Sequence, residues 1–353
     1  MPAIFTASVT TFTVAWLLVL SVKWHGHFSL DDTDGVQKMH AHATPRIGGI
    51  AIMIGLILSW AFIPADTRKL FTPMLLASIP AFLFGLLEDF TRRISVRTRL
   101  LATMTSGTLA CLISGIAIQN TGIPWLDYLF IYWPLAVLFT AFATAGIANA
   151  INIIDGFNGL SSGSCIIMLS VLGTIAFSLG DAAVASLCLI VASSSLGFLA
   201  VNWPWGRIFL GDGGAYLLGF ILAWACVLIP MRHPEVTGWT MALVCAYPTI
   251  EVFYSIRRRL RRKGHYPGQP DQVHLHHLIY KRVVKRLFPR IDPRLQNGFT
   301  SPICWCFVAA PGLWAFAFKD NKILIILGYL FFTLAYISIY TRLATFRWWP
   351  LKR

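Results

Sequence analysis

Charge is what this sequence has least of. Only 12% of its 353 residues are Asp, Glu, Lys or Arg, about half the roughly 25% usual in soluble domains. A soluble chain of this length buries a large core but still needs a polar coat, and too little polar sequence is present to make one. With 56% hydrophobic residues, disorder is excluded as well. The seven cysteines are odd in number, include no CxxC pair and all fall in long apolar stretches; they read as small packing residues, not as a disulfide or metal framework. No stretch is long and polar enough for a soluble domain, the longest candidate being 257–300. Internal repeats and low-complexity tracts are missing, and so are the matched Gly/Pro-broken segments of an inverted-repeat transporter. The first apolar run has no basic residue before it, and its first cation, Lys23, comes after it, so it is not read as a cleavable signal.

What is present is a series of apolar runs. A membrane-crossing helix needs about 20 apolar residues. Eleven segments qualify: 2–22, 47–64, 70–87, 99–118, 128–148, 160–179, 182–201, 208–230, 239–256, 301–318 and 323–341. The implied fold is an all-α, polytopic integral membrane protein with about eleven transmembrane helices, residues 1–353 forming a single transmembrane domain. Placing the N-terminus outside and the C-terminus in the cytoplasm puts 24 cations inside against 5 outside, as the positive-inside rule requires. The whole net charge of +14 then lies on the inner face, in the C-terminal tail and around the loops 23–46, 88–98, 149–159, 202–214 and 257–300, which are read as the active-site loops. On so apolar a chain this basicity implies anions at a membrane surface, not nucleic acid.

Five polar constellations interrupt the apolar frame, all on that face. DDTDGVQKMHAHATPRIGG, residues 31–49, sets Lys38, His40 and Arg46 beside an Asp-rich turn, with Pro45 and the following glycines bending the backbone; this suits an anionic ligand. Glu88 and Asp89 end the third apolar run. Such a pair is costly beside hydrocarbon unless it pairs, binds a cation or lines a polar cavity, and adjacency splits the two pKa values as a general base requires. Ion pairing with Arg92 or Arg93 is the plainer use. In NAINIIDGFNGL, residues 149–160, Asn149, Asn152 and Asp155 recur every three residues and share an arc of about 120° on a helix. Gly156 and Gly159 break that helix, and Asn158 opens the next turn. Four such groups on an apolar segment call for a polar ligand.

FLGDGGAYLLGF, residues 209–220, sets Asp212 among glycines at a helix start. The backbone N–H groups there favour an anion, while Asp212 does not. A Mg²⁺ between them resolves the conflict, since it takes one or two carboxylates plus phosphate oxygens. PDQVHLHHLIYKR, residues 270–282, clusters His274, His276 and His277 beside cations. Diphosphate binding is favoured over zinc, because no cysteine ligand lies on this side. Leu275, Ile279, Val283 and Leu287 form an i+4 ridge, which predicts an amphipathic helix on the membrane surface, and RRRLRRK at 257–263 reads as an anchor to anionic lipid. Acids for a metal, cations for phosphates and amides for a base or sugar, in a membrane frame, imply phosphoryl transfer to or from a lipid. A polytopic transporter or lipid flippase for an anionic substrate is the alternative.

In this order the five motifs resemble those of the polyprenyl-phosphate N-acetylhexosamine-1-phosphate transferases of the glycosyltransferase family 4 type, over roughly residues 30–285. The resemblance implies a reaction in which a UDP-HexNAc and undecaprenyl phosphate give undecaprenyl diphosphate-HexNAc and UMP. It implies Mg²⁺, or Mn²⁺ in its place, and a site at the cytoplasmic face of the bacterial inner membrane, among membrane lipids. A homodimer stays open. HLHH and the number of spans look like the branch that starts O-antigen and other surface polysaccharides. Departures are Glu88-Asp89 where many relatives have Asp-Asp, Asn158 where many have Asp, and GDGGA for the frequent GD-x-GS. Within the resemblance, Asp212 with Asn152 would hold the metal, and Glu88 or Asp89 would deprotonate or position the lipid phosphate. His274, His276, His277 and Arg207 would stabilise the diphosphate. Lys38, Asn158 and Asp155 would contact uridine or orient the site, with His40, Arg46 and Asn149 beside the substrates.

Overall fold

The computed structural model describes residues 1–31, 43–261 and 273–346. Lys38 and His40 lie outside the described residues. The described residues are almost all helical. Helices α1 (Pro2–Leu20) and α2 (Val22–Ser29) lead into a two-residue antiparallel pair, β1 (Leu30–Asp31) with β2 (Thr44–Pro45), in which Leu30 faces Pro45. Then follow α3 (Gly48–Ser59), α4 (Ala65–Ala77), α5 (Ile79–Thr91), α6 (Val96–Ser114), α7 (Pro124–Leu129), α8 (Trp133–Ile154), α9 (Leu160–Ser178), α10 (Ala182–Asn202) and α11 (Gly211–Arg232). The last third holds α12 (Gly238–Val244), α13 (Ala246–Leu260), α14 (Leu275–Ile279), α15 (Lys285–Leu287), α16 (Pro293–Ala317) and α17 (Lys322–Ala344).

Seven of these, α1, α8, α9, α10, α11, α16 and α17, are long and apolar enough to cross a membrane, and α4 with α5 makes an eighth if that bent pair is one span. The other apolar runs form helices too, but shorter or interrupted ones, or, in the 19-residue α6, one with two arginines in its first turn. Prolines explain the interruptions. Pro80, at the start of α5, has no N–H for the Leu76 carbonyl, and the chain bends by 41° there. Pro248 likewise leaves the Val244 carbonyl without its helical partner, so 239–256 is two helices broken at Cys245. Pro134 starts α8 and shifts that span to Trp133–Ile154.

Helix α11 is the axis of the molecule. It is apolar all round, as a fully enclosed helix must be, and residues 211–230 are all buried. At about 1.5 Å per residue its 22 residues span the roughly 30 Å of a bilayer core. At its far end Arg232 Nε lies 2.5 Å and His233 Nε2 3.2 Å from Asp181 Oδ2, while Asp181 caps α10 by accepting from Val184 N at 3.1 Å. Burial works to raise the Asp181 carboxyl, but these donors outweigh it and hold it below its ordinary value. All seven cysteines are free and six are buried. The opposite end of α11 carries the candidate site.

Helices α5 and α11 meet there at backbone distance. A Cβ on Gly85 would lie 2.7 Å from the backbone of Asp212 and Gly213, which real side chains do not tolerate. Gly85→Ala is therefore expected to cost about 1–3 kcal/mol by overpacking and to lower the thermal midpoint in detergent. The control Gly146→Ala, whose Cβ would meet nothing within 4 Å, is expected to be neutral or stabilising by about 0.4–1 kcal/mol.

Candidate active site

The site begins with the turn into α11. Residues 45–49 zip along 209–210, with Phe209 N donating to the Pro45 carbonyl at 2.8 Å and Gly48 and Gly49 donating to Phe209 and Leu210 at 2.9 and 3.0 Å. Gly211 enters the helix at φ +74°, and a Cβ there would sit 2.6 Å from Asp89 Oδ2. Only glycine fits both requirements. The first N–H groups of the helix are thereby turned to Asp89. Asp212 N donates to its Oδ1 and Gly213 N to its Oδ2, each at 2.9 Å, and Arg46 Nε lies 3.0 Å from Oδ1.

This corrects the sequence reading of the glycine turn. The N–H groups of Asp212 and Gly213 serve Asp89, not a ligand phosphate. Asp89, 2% exposed, is a cap and anchor of α11. A charged cap of this kind is worth about 1–2 kcal/mol. Its neighbour Glu88 is turned to the other side, where Oε2 accepts from Ile94 N at 2.7 Å and closes the turn between α5 and α6.

Asp212 is the convergence point. Its Oδ1 lies 3.2 Å from Arg46 Nη2 and accepts from Asn152 Nδ2 at 3.1 Å, while Arg99 Nη1 binds Oδ2. Four separate segments thus meet on one carboxylate. Arg46 also reaches Asp31 at 3.7 Å, and Arg92 donates to the Leu30 carbonyl at 2.7 Å, tying the strand pair to the cluster. Arg99 was missed as a site residue and figured only in the charge count. A signal existed: it sits in the first turns of α6, with no acid beside it, where the helix dipole disfavours a cation. Such a residue needs an anion from elsewhere.

The amide-rich face of α8 packs along α11 as its three-residue spacing implies. Asn152 meets Asp212, and one turn away Asn149 accepts from the Tyr216 hydroxyl at 3.3 Å. Asp155 follows the last residue of α8. Protein surrounds it although part of its surface stays open, and burial pushes its carboxyl up to about 7 against the pull of the Arg46 guanidinium. Asn158 does not join this face. It is 6% exposed, its N–H donates to Asn297 Oδ1 at 2.8 Å and its Nδ2 to the Pro204 carbonyl at 3.0 Å. Its N–H and Nδ2 brace the loop against Asn297 on α16 and against Pro204. Arg207 is also apart: its guanidinium lies 5.0 Å over the Trp16 ring on α1.

The histidines are inside the protein. Residues 274–280 are buried, so the predicted surface helix instead enters the bundle as α14; its i+4 ridge is answered by protein, and Leu287 alone of the four is strongly exposed. Ring centroids of His276 and His277 are 4.5 Å apart, and both rings lie 5.6 Å from Phe157. A Cβ on Gly156 would come within 3.3 Å of His276 Nε2 and 4.0 Å of His277 Nε2. The cluster therefore abuts the loop that carries Asp155. Burial, and then His277 and His274, hold the His276 imidazole well below its ordinary value. Among the described residues, no group of three or more His, Cys, Asp or Glu is arranged to hold a metal by itself. The donors at Asp212 still suit a divalent cation that arrives with phosphate oxygens. One carboxylate draws two guanidiniums and an amide, and Mg²⁺ needs only one or two carboxylates from the protein.

The sequence model of glycosyl transferase family 4 matches residues 71–229, the stretch from α4 to the end of α11. The chain is 30% identical over 252 residues to a Bacillus subtilis protein named "Probable undecaprenyl-phosphate N-acetylglucosaminyl 1-phosphate transferase", covering 70% of this chain and 69% of that one. It is 30% identical over 258 residues to the undecaprenyl-phosphate alpha-N-acetylglucosaminyl 1-phosphate transferase of Thermotoga maritima, covering 72% and 74%. The Yersinia pestis protein of the same name is 27% identical over 280 residues, 76% of this chain and 74% of that one. With α11, its Asp89 cap and the Asn152–Asp212 contact all inside the matched stretch, the chain belongs to glycosyl transferase family 4, among the polyprenyl-phosphate N-acetylhexosamine-1-phosphate transferases.

Proposed function

We propose that the protein transfers a HexNAc-1-phosphate from a UDP-HexNAc to undecaprenyl phosphate, releasing UMP, at the cytoplasmic face of a bacterial inner membrane, as the first step of O-antigen or another surface polysaccharide. The observation that carries this reading is the convergence of Arg46, Arg99 and Asn152 on Asp212 at one end of a membrane-length helix bundle. Relatives named for undecaprenyl-phosphate GlcNAc-1-phosphate transfer support it. A transporter would carry polar groups along its path. Between Tyr216 and Arg232, at the two ends of α11, residues 217–230 are instead apolar.

In the reaction, an oxygen of the lipid phosphate attacks the phosphorus that bears the sugar, and the bond from that phosphorus to UMP breaks. A phosphate monoester has its second pKa near 6, so the attacking oxygen is already anionic and needs no general base. This agrees with an Asp89 whose carboxylate is occupied by amides and Arg46. Asp212, with Asn152 beside it, would hold the Mg²⁺ that accompanies the diphosphate and neutralises charge at the phosphorus and on departing UMP. Arg46 and Arg99, paired with Asp212 before substrate arrives, would turn to phosphate oxygens. His276 and His277 lie beside Gly156, next to Asp155, and with His274 would stabilise the diphosphate from that side.

Purified protein given UDP-GlcNAc, undecaprenyl phosphate and Mg²⁺ is expected to release UMP, and a panel of UDP-HexNAc donors would identify the sugar. Release with none of them would sink the proposal. Asp212→Asn is expected to lower kcat by about 10²-fold or more with the fold retained, and Arg99→Ala to lower kcat/KM by a comparable factor. Activity near wild type in Asp212→Asn across Mg²⁺ concentrations would remove the metal role.

Asp155 adds a pH dependence. Its folded value near 7 lies above the ordinary 3.8, so below about 4 both folded and unfolded chains are protonated and the site costs nothing. Between about 4 and 7 the unfolded chain releases the proton and the folded one keeps it, which lowers stability as pH rises. Asp155→Asn is therefore expected to gain thermal stability relative to wild type as pH goes from 4 to 7, with a constant difference above that. Parallel curves would show that Asp155 is not held this way.

A further inference from the structure

One buried acid has no part in the chemistry above. Glu251, on α13, is 0% exposed. Its Oε1 lies 2.8 Å from His274 Nδ1, and its Oε2 accepts from Leu275 N at 3.0 Å and from the Tyr336 hydroxyl at 2.8 Å. Three segments distant in sequence meet on this carboxylate: α13, the entry to α14, and the last helix, α17. The Leu275 N–H and the Tyr336 hydroxyl donate, and an ionised Glu251 accepts from His274 Nδ1 as well. A glutamine in its place could keep the bonds from Leu275 N and Tyr336 with its oxygen, but would turn its amide N–H on His274 Nδ1.

The pairing has a consequence for His274. A carboxylate can only accept, so Nδ1 carries the proton and Nε2 is the ring atom left for a ligand. His274 stacks on His276 at 5.3 Å with the rings 13° apart, and His276 borders Gly156 beside Asp155. The backbone just before His274 is clamped as well: the Val273 carbonyl accepts from Arg258 Nη1 and from the Tyr340 hydroxyl, each at 2.8 Å. The charged and titratable groups around the ring are thus Glu251 and Arg258 on α13, His276 and His277 on α14, and Tyr336 and Tyr340 on α17, with Tyr247 reached through His276.

We propose that Glu251 is a positioning residue that acts through His274: by holding the Nδ1 proton it directs Nε2 to the diphosphate and balances the charge when that nitrogen takes up a proton and donates to a phosphate oxygen. The last helix, through Tyr336, is then part of the catalytic frame. The inference rests on the phosphosugar transfer proposed above, and its test separates the two.

The experiment uses the full chain in detergent with ¹⁵N-labelled histidine, the His274 signal being assigned by its loss in His274→Asn. Wild type is expected to show the Nδ1–H form at neutral pH without substrate. Glu251→Gln is expected to lose that form, to raise the KM for the UDP-HexNAc about tenfold with a smaller change in kcat, and to move the alkaline limb of the pH–rate profile to lower pH. Tyr336→Phe, which removes one donor to Glu251 and keeps the ring, is expected to shift the same readouts by a few-fold less, and stays informative if Glu251→Gln does not fold. Glu251→Asp is expected to restore part of the effect. A folded Glu251→Gln that keeps the Nδ1–H signal and the wild-type pH profile would overturn the proposal and leave Glu251 a packing residue. Absence of UMP release by wild type, with the histidine signal responding as expected, would instead defeat the transfer reaction and leave the Glu251–His274 pairing standing.

Discussion

The carboxylate of Asp89 seated on the first amides of α11 is the contact on which the site depends. It joins the end of one helix to the start of another at a point where Gly85 and Gly211 have removed every side chain in the way. Arg46 then lies against the same carboxylate, and Asp212, one residue into α11, is presented beside it. Without the cap, the N-terminal dipole of the most enclosed helix in the molecule would lack its anion in a low-dielectric surround, where an unpaired group is most costly.

Charge balance around that contact is close. Asp31, Asp89 and Asp212 face Arg46, Arg92 and Arg99, and each guanidinium is held by an acid before any substrate arrives. Breaking a buried pair of this kind by removing one partner typically costs about 3–5 kcal/mol, because the other charge is left behind. On the proposed reaction, an incoming diphosphate would offer the arginines a second anion and its accompanying cation would offer Asp212 a partner, so the site would exchange protein partners for substrate without exposing a bare charge. The histidine side is built on the same rule, with Glu251 supplying the buried acceptor.

Much of this was legible in the sequence. The apolar runs announced a helical membrane protein, and the three-residue spacing of Asn149 and Asn152 put both on the face that meets α11. The FLGDGG turn was read as a helix start with Asp212 at its mouth. Other features were not legible. That Asp89 caps α11 was one, because the amides it accepts from are 123 and 124 residues away. The bracing of Asn158 between Pro204 and Asn297 was another. The ridge through Leu275 and Ile279 looked like a surface helix, since a period shows that one face is covered and not what covers it.

The sequence by itself determined the solvent the chain lives in, the helices it forms and the residue types available at one end of them, since hydropathy and helical period are local properties. Tertiary structure alone decided which acid caps, which acid gathers arginines and which acid holds a histidine. Arg99 and Asp212 stand 113 residues apart, and Glu251 and Tyr336 are separated by 85. Such pairs form only after helices have packed, at separations of a few ångströms that glycines and prolines set, and no local pattern of residues encodes that distance.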